Sequence, residues 1–216
     1  MVRSKILTEE KGIDHCFLDA KESLFAETER LLLTCRRPQQ VHGSMVSMID
    51  TKFYYGGCDG LVSKIPATLA IASADCLPLF LYCKDKSVIT ALHAGWRSLL
   101  AGIIENSLKM LHRMNVTPAN IYAALGPRIG VCCYQVKFQL VENFIKEKNL
   151  TGHIYEKRGK QYFLDLAAVA KSVLVSFGVH AENIDDTKVC TFCSPGYFSF
   201  RRDKTEMRNY SFLTLK

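Results

Sequence analysis

The chain has 216 residues, 48% hydrophobic and 23% charged, with a formal net charge of +7 from 28 Lys and Arg against 21 Asp and Glu. That profile belongs to a folded protein with a sizeable core and excludes a disordered or fibrous chain. The basic excess is scattered, with only residues 157–160 and 201–204 clustered, so no nucleic-acid module is legible; the charge favours anionic ligands weakly, and a solvated basic surface fits it better than a DNA-binding face.

Residues 1–10 lack the apolar core of a signal peptide, which points to a cytoplasmic protein. Residues 19–35 carry Leu24, Phe25, Leu31 and Leu32 among charged residues, a helical pattern ended by Arg36-Arg-Pro38. Residues 40–49 read as a strand interrupted by Gly43; extended backbone there would turn Gln40 and His42 to one face. Residues 56–60, Gly-Gly-Cys-Asp-Gly, form a turn cluster. Three strands follow, 67–73, 77–83 and 88–93, the last two joined by a hairpin loop at Lys84-Asp-Lys86. The apolar stretch 65–83 is broken by Asp75 and Pro78, which suits two strands and not a membrane helix.

An amphipathic helix is expected over 95–115 from Leu99, Leu100, Ile103, Ile104, Leu108 and Leu111. A short strand over 120–125 and the loop 126–130 lead to Cys132-Cys-Tyr134, then to a helix over 135–148 that buries Phe138, Val141, Phe144 and Ile145. A hairpin over 154–163 precedes a helix that Asp165 caps and Gly178 stops. Short strands and loops, through Cys190, 198–200 and 210–215, complete the chain. Strands and helices interleave without a βαβ rhythm, the mark of an α+β fold with mixed β-sheets flanked by helices, in a single domain over 1–216.

The chemistry concentrates where polar groups interrupt apolar runs. Asp75 and Cys76 lie between two such runs, and His93 closes a third before Ala94-Gly-Trp96. Burying a carboxylate, a thiol and an imidazole costs several kcal/mol unless each finds a partner, on the order of polar-transfer penalties. With His42, Cys76 and His93 make a set of borderline donors suited to zinc or copper, leaving a fourth position open. The same atoms also suit a cysteine hydrolase, with Cys76 as nucleophile, His93 as base and Asp75 or Gln40 as orienting group. Buried thiols and hydrogen-bonded core histidines are the simpler reading.

Nine cysteines without a signal peptide read as reduced thiols. Cys190-Thr-Phe-Cys193 has CxxC spacing but no second CxxC, and Cys132 and Cys133 are adjacent, so all four are expected to be structural thiols. Arg201 and Arg202 could clamp an anion such as phosphate, as could Arg128 in its glycine-flanked loop; a surface salt-bridge face is equally consistent.

Five motifs in series resemble the YfiH-like family, also called the multicopper polyphenol oxidase, laccase-domain or purine nucleoside phosphorylase family. They are Gln40-Val-His-Gly43, Ala74-Asp-Cys76, His93-Ala-Gly-Trp96, Gly126-Pro-x-Ile-Gly130 with Cys132-Cys-Tyr134, and Cys190-Thr followed by Phe198-Ser-Phe-Arg-Arg-Asp203. The resemblance implies mixed sheets with flanking helices and one zinc on the residues matching His42, Cys76 and His93. It also implies phosphorolysis of inosine and adenosine, with adenosine deamination as a second activity. The laccase label implies copper, although a chain with only six histidines is poorly supplied for a multicopper site. On this reading Asp75 moves a proton to the purine or to water and Arg201 or Arg202 anchors phosphate. Gln40 and Arg128 complete the candidate substrate contacts, and the protein is a monomer or homodimer.

Two departures from the family pattern bear on substrate. The Thr-x-Arg-x-Gly-Gly segment near the N-terminus is missing, the shortened region reading Phe17-Leu-Asp-Ala-Lys-Glu22, and Thr205-Glu-Met-Arg208 stands where Thr-Gly-Arg is usual. A nucleoside enzyme, a Cys/His hydrolase on another small substrate and a catalytically silent metal-binding module are the three readings these residues support.

Overall fold

Strands Leu77–Cys83 and Val88–Ala94 are buried at every position, because both faces of their sheet are covered. Along the first, Leu79, Leu81 and Cys83 enter one apolar cluster and Phe80 and Tyr82 enter the other. This period-2 division explains why these segments read as continuous apolar runs. A computed structural model of the chain describes residues 1–150 and 153–216. The mixed six-stranded sheet runs in the order Ile184–Asp186, Ile121–Leu125, Leu77–Cys83, Val88–Ala94, Gly60–Ser63, Val46–Met48. Its outermost pairs are parallel and the inner ones antiparallel.

On one face lie the helices, with Ile103, Ile104, Leu108 and Leu111 of Ile103–Arg113, Val141 and Phe144 of Phe138–Lys148, and Val169 and Leu174 of Leu166–Ser176 all buried. On the other lies an antiparallel three-stranded sheet, Ile13–Phe17, Asn209–Leu215, Ala67–Ser73, whose Ile71 and Leu213 join Phe80 and Ile89 in the inter-sheet core. The α+β architecture is therefore the one expected. Strand Ala67–Ser73 belongs to one sheet and Leu77–Cys83 to the other, so the three residues 74–76 carry the chain across the end of the sandwich.

Several local expectations need correction. Residues 40–45 are not extended; the strand is only Val46–Met48, and Gln40 and His42 both take left-handed backbone, φ 62° and 61°. The helix expected over 19–35 is two, Ala20–Ser23 and Ala26–Thr34. The helix over 95–115 is also two, Trp96–Leu100 and Ile103–Arg113, separated at Gly102, whose φ of 90° no helix accommodates. The helix over 135–148 begins at Phe138, and it leaves Phe138 and Ile145 exposed. Residues 198–200 form no strand, and Phe200 opens a helical turn, Phe200–Asp203. No helix among the described residues is long and apolar enough to cross a membrane.

Candidate metal centre and substrate cavity

The site is assembled at one end of the six-stranded sheet. Antiparallel pairing sets Pro78 opposite His93 and Leu77 opposite Ala94, so Cys76, one residue before its strand, falls beside the His93 end of the next. Gly60 pairs with Leu92, and the carbonyl of Asp59 accepts the His93 N–H at 2.8 Å. Asp59 is fully buried, and it organises the centre. Its Oδ1 accepts from His42 N at 2.9 Å and faces His93 Nδ1 at 2.8 Å, while its Oδ2 accepts from Val41 N at 3.0 Å and Gly43 N at 2.7 Å. Three successive N–H groups can converge on one carboxylate only if the chain curls, which is why residues 40–43 leave the extended conformation. With its proton on Nδ1 facing Asp59, His93 turns Nε2 to the site.

Donor atoms of His42, Cys76 and His93 lie within 4.8 Å of one another, and the two imidazoles meet edge-on with centroids 4.9 Å apart. Burial alone would push the Cys76 thiol up; the His93 charge and hydrogen bonds from His42 and His93 outweigh it and bring the thiol down to about 6. Burial would likewise lower His93, but the Cys76 charge and the Asp59 hydrogen bond raise it to about 9. Asp59 is held below the usual carboxylate range, burial being outweighed by His93 and by the N–H groups of Gly43 and His42. A thiolate among two imidazoles, one of them oriented by a buried carboxylate, is a donor set that can hold a metal ion. Gly95 leaves room for the sulfur, since a Cβ there would lie 2.8 Å from Cys76 Sγ.

The trio opens on a cavity of about 750 Å³, within the size range of small-molecule sites. Its walls include the aromatic residues Tyr54, Trp96, Tyr134, Phe200 and Tyr210 and the guanidinium groups of Arg37, Arg97, Arg201 and Arg208. Arg97 stacks on Trp96 and Arg201 on Tyr134, with 4.5 Å and 5.1 Å from carbon to ring centroid. Burial and the Cys76 charge push the Tyr134 phenol up to about 12, so it keeps its proton.

The residues expected to contact substrate divide. Arg201 lines the cavity, with one guanidinium nitrogen on the Gln135 carbonyl at 3.0 Å. Arg202 does not line it: its guanidinium donates to the carbonyls of Thr191, Phe192 and Tyr197 and to Asp203, and so braces a loop. Arg128 is also withdrawn, buried in a two-pronged pair with Asp186 at 2.7 and 2.9 Å. Gln40 borders the cavity, but its amide is spent on the backbone of Ala72, donating at 2.6 Å and accepting at 2.9 Å.

Asp75 borders the cavity with a left-handed φ of 86°. For a non-glycine residue such strain costs of order 1–3 kcal/mol and is held by surrounding contacts. Those contacts are Thr191 Oγ1 at 2.6 Å, Ser199 Oγ at 3.1 Å and Arg201 N at 2.6 Å, all donating to the carboxylate. This engagement suits anchoring of the Arg201 segment better than free proton exchange. Asp59, Arg37, Arg97 and Arg208 were not singled out from the sequence. Asp59 stood in plain view as the carboxylate of a glycine-flanked turn, and Arg97 adjoins Trp96 directly. Arg208 falls in the segment that departs from the family pattern, yet it lines the cavity.

Comparison with known proteins gives the family of the chain. A family model described as multi-copper polyphenol oxidoreductase laccase matches residues 18–216. Purine nucleoside phosphorylase YfiH of Escherichia coli strain K12 is 33% identical over 180 residues, 82% of this chain and 72% of its own. Adenosine deaminase RL5, from an unknown prokaryotic organism, is 31% identical over 200 residues, 86% of this chain and 76% of its own. The crystal structure of YlmD from Geobacillus stearothermophilus superposes with a TM-score of 0.80 at 28% identity, covering 88% of this chain and 77% of that one. The chain therefore belongs to the laccase-like family that includes YfiH and YlmD.

Proposed function

We propose that the protein is a zinc-dependent purine nucleoside phosphorylase, converting inosine or adenosine and phosphate to the free base and ribose 1-phosphate, with adenosine deamination as a second activity. The observation that carries this reading is the His42, Cys76 and His93 donor set opening on a cavity that combines aromatic faces with four arginines. Relatives named for phosphorolysis and for deamination of purine nucleosides support it.

Aromatic faces suit a flat purine, and guanidinium groups suit phosphate through paired N–H donors. Arg201, fixed at its backbone by Asp75, and Arg97, stacked on Trp96, hold phosphate against the ribose. A phosphate oxygen then bonds to C1′ as the bond from C1′ to the purine nitrogen breaks and the base takes the electron pair. The chain's task is to align the two reactants and to stabilise the spreading charge. Tyr134, which keeps its proton, is placed as a hydrogen-bond donor on the same wall. Zinc on His42, Cys76 and His93 would supply Lewis acidity and an acidified water for deamination. Copper is the less favoured metal: laccase chemistry needs several coppers and many histidines, whereas this cluster offers three donors, two of them histidine.

A second reading rests on the order Asp59, His93, Cys76, which matches an orienting acid, a base and a depressed thiol. In it Cys76 is the nucleophile of a hydrolase acting on another small substrate. Metal analysis of the purified protein beside His42→Ala and Cys76→Ala, with base release assayed from inosine and adenosine plus phosphate, separates the two. Zinc and base release lost together in both variants support the phosphorylase. Metal-free protein with full turnover assigns Cys76 as nucleophile, and zinc without turnover on purine nucleosides discards the substrate.

A further inference from the structure

Four cysteines that the proposed reaction does not use meet on the far side of the cavity wall. Cys132 and Cys133 lie in the turn after Gly130, and Cys190 and Cys193 in the turn that follows Val189. Backbone bonds hold the two segments side by side: Arg128 N donates to Val189 O at 3.1 Å and Thr191 N to Arg128 O at 2.9 Å. Their sulfurs all lie within 4.8 Å of one another, with Cys133 and Cys132 at 3.1 and 3.5 Å from Cys193.

Hydrophobic packing does not account for this arrangement. Cysteine is among the most buried residue types, yet Cys132 and Cys193 are exposed while their sulfurs face inward to the group. The turns are also shaped around the sulfurs. Gly130 donates its N–H to Cys190 Sγ at 3.2 Å, and a Cβ there would lie 3.2 Å from Cys132 Sγ and 3.3 Å from Cys190 Cβ. Zinc bonded to four thiolates at about 2.3 Å requires sulfur separations of about 3.8 Å. The separations here, from 3.1 to at most 4.8 Å, bracket that value.

We propose that Cys132, Cys133, Cys190 and Cys193 form a second metal centre, a closed tetrathiolate site for one zinc ion. On binding, four thiols release four protons and the centre carries two negative charges. Two guanidinium groups, Arg158 paired with Glu156 and Arg202 with Asp203, brace the backbone of these turns. Arg158 donates to the Cys132 and Val131 carbonyls at 3.0 and 3.5 Å, and Arg202 to those of Thr191 and Phe192, each at 2.9 Å. With all four positions filled by protein the ion has no place for substrate, so its role is structural. It staples the turn that presents Tyr134 to the cavity to the turn whose Thr191 holds Asp75. This role accounts for Arg202, which braces the second turn without touching the cavity.

The test uses the full chain purified with zinc, and it reads each centre separately. Native mass spectrometry counts ions, and alkylation by iodoacetamide followed by peptide mapping reports which cysteines the metal shields. In wild type we expect two zinc ions, with Cys132 and Cys193 alkylated at least tenfold faster after chelation. Cys76→Ala, which removes the thiolate of the first centre, should keep one zinc and the same protection pattern. Reconstituted with cobalt(II), it should show thiolate-to-metal charge transfer that Cys133→Ser with Cys193→Ser abolishes. Cys132 and Cys193 freely alkylated in the zinc-loaded wild type, with no zinc retained by Cys76→Ala, would overturn the proposal. So would disulfides among the four in non-reducing maps of the freshly purified protein, which would assign them a redox role. Neither result depends on whether the first centre holds zinc or turns over a nucleoside.

Discussion

Replacing Asp59 by Asn probes the metal centre without removing a ligand. The carboxylate has two inequivalent oxygens, one serving His42 N and His93 Nδ1 and the other serving Val41 N and Gly43 N. An Asn amide can keep only one of these pairs. If its oxygen stays with His42 and His93, its NH₂ confronts two N–H donors and orphans both, at about 1–3 kcal/mol each. Turned around, it orphans only the His42 N–H, provided His93 accepts at Nδ1. The second arrangement is cheaper by one orphan, and it moves the His93 proton to Nε2, the atom needed for the metal. Asp59→Asn should therefore lose about 1–3 kcal/mol of stability, a fall in Tm of roughly 2–12 °C for a chain of this size. Its zinc affinity should fall about 10- to 100-fold, the usual effect of losing such a support. Competition with a chromophoric chelator measures the affinity and thermal melts measure the stability. Wild-type affinity in a destabilised variant would refute the claim that Asp59 sets the His93 tautomer.

Three further outcomes follow from the same geometry. Between about pH 6 and 9 the metal-free site pairs the Cys76 thiolate with protonated His93, so zinc must displace one proton. Affinity should rise about tenfold per pH unit across that window and level off above it, which titrations at several pH values would show; a flat profile from 6 to 9 contradicts the ion pair. Gly95→Ala places a Cβ against Cys76 Sγ, and an overpacking cost of about 1–3 kcal/mol corresponds to zinc binding roughly 5- to 150-fold weaker, with circular dichroism unchanged. Asp186 is depressed to about 2, burial being outweighed by Arg128 and Lys171. A depressed carboxyl stabilises the fold above its unfolded value and loses that contribution as pH falls through its folded one, here about 2–3 kcal/mol lost from about pH 4 to 2. Asp186→Asn, which strands the buried Arg128, should cost about 3–5 kcal/mol in denaturant unfolding and flatten that acid limb.

How much was legible in the sequence depended on whether the deciding interaction was local. Strands 77–83 and 88–93 are evident because a sheet covered on both faces needs unbroken apolar runs, and Asp165 and Gly178 mark a helix by chemistry within one turn. Cys76 and His93 stand out as polar groups against those runs, and the donor atoms of both converge with His42. The extended reading of Gln40 to His42 failed because a carboxylate seventeen residues away draws in three successive N–H groups. Arg128 and Arg202 stay ambiguous in the sequence for the same reason: an arginine in a loop looks alike whether its partner is substrate, Asp186 or a row of carbonyls. The two cysteine pairs read as separate because nothing in CxxC spacing reveals that a second pair arrives from sixty residues upstream.

The three-stranded sheet has a consequence for synthesis. Its middle strand is Asn209–Leu215, and Ile13–Phe17, synthesised far earlier, pairs with no other strand of that sheet among the described residues. Nearly two hundred residues must emerge before that hydrogen-bonding edge is closed. All three donors of the first centre are in place by residue 93, well before the 190–208 wall of the cavity exists. Until that edge closes, Ile13–Phe17 on a nascent chain invites pairing with a neighbour, and that interval is when a chaperone would have most to do.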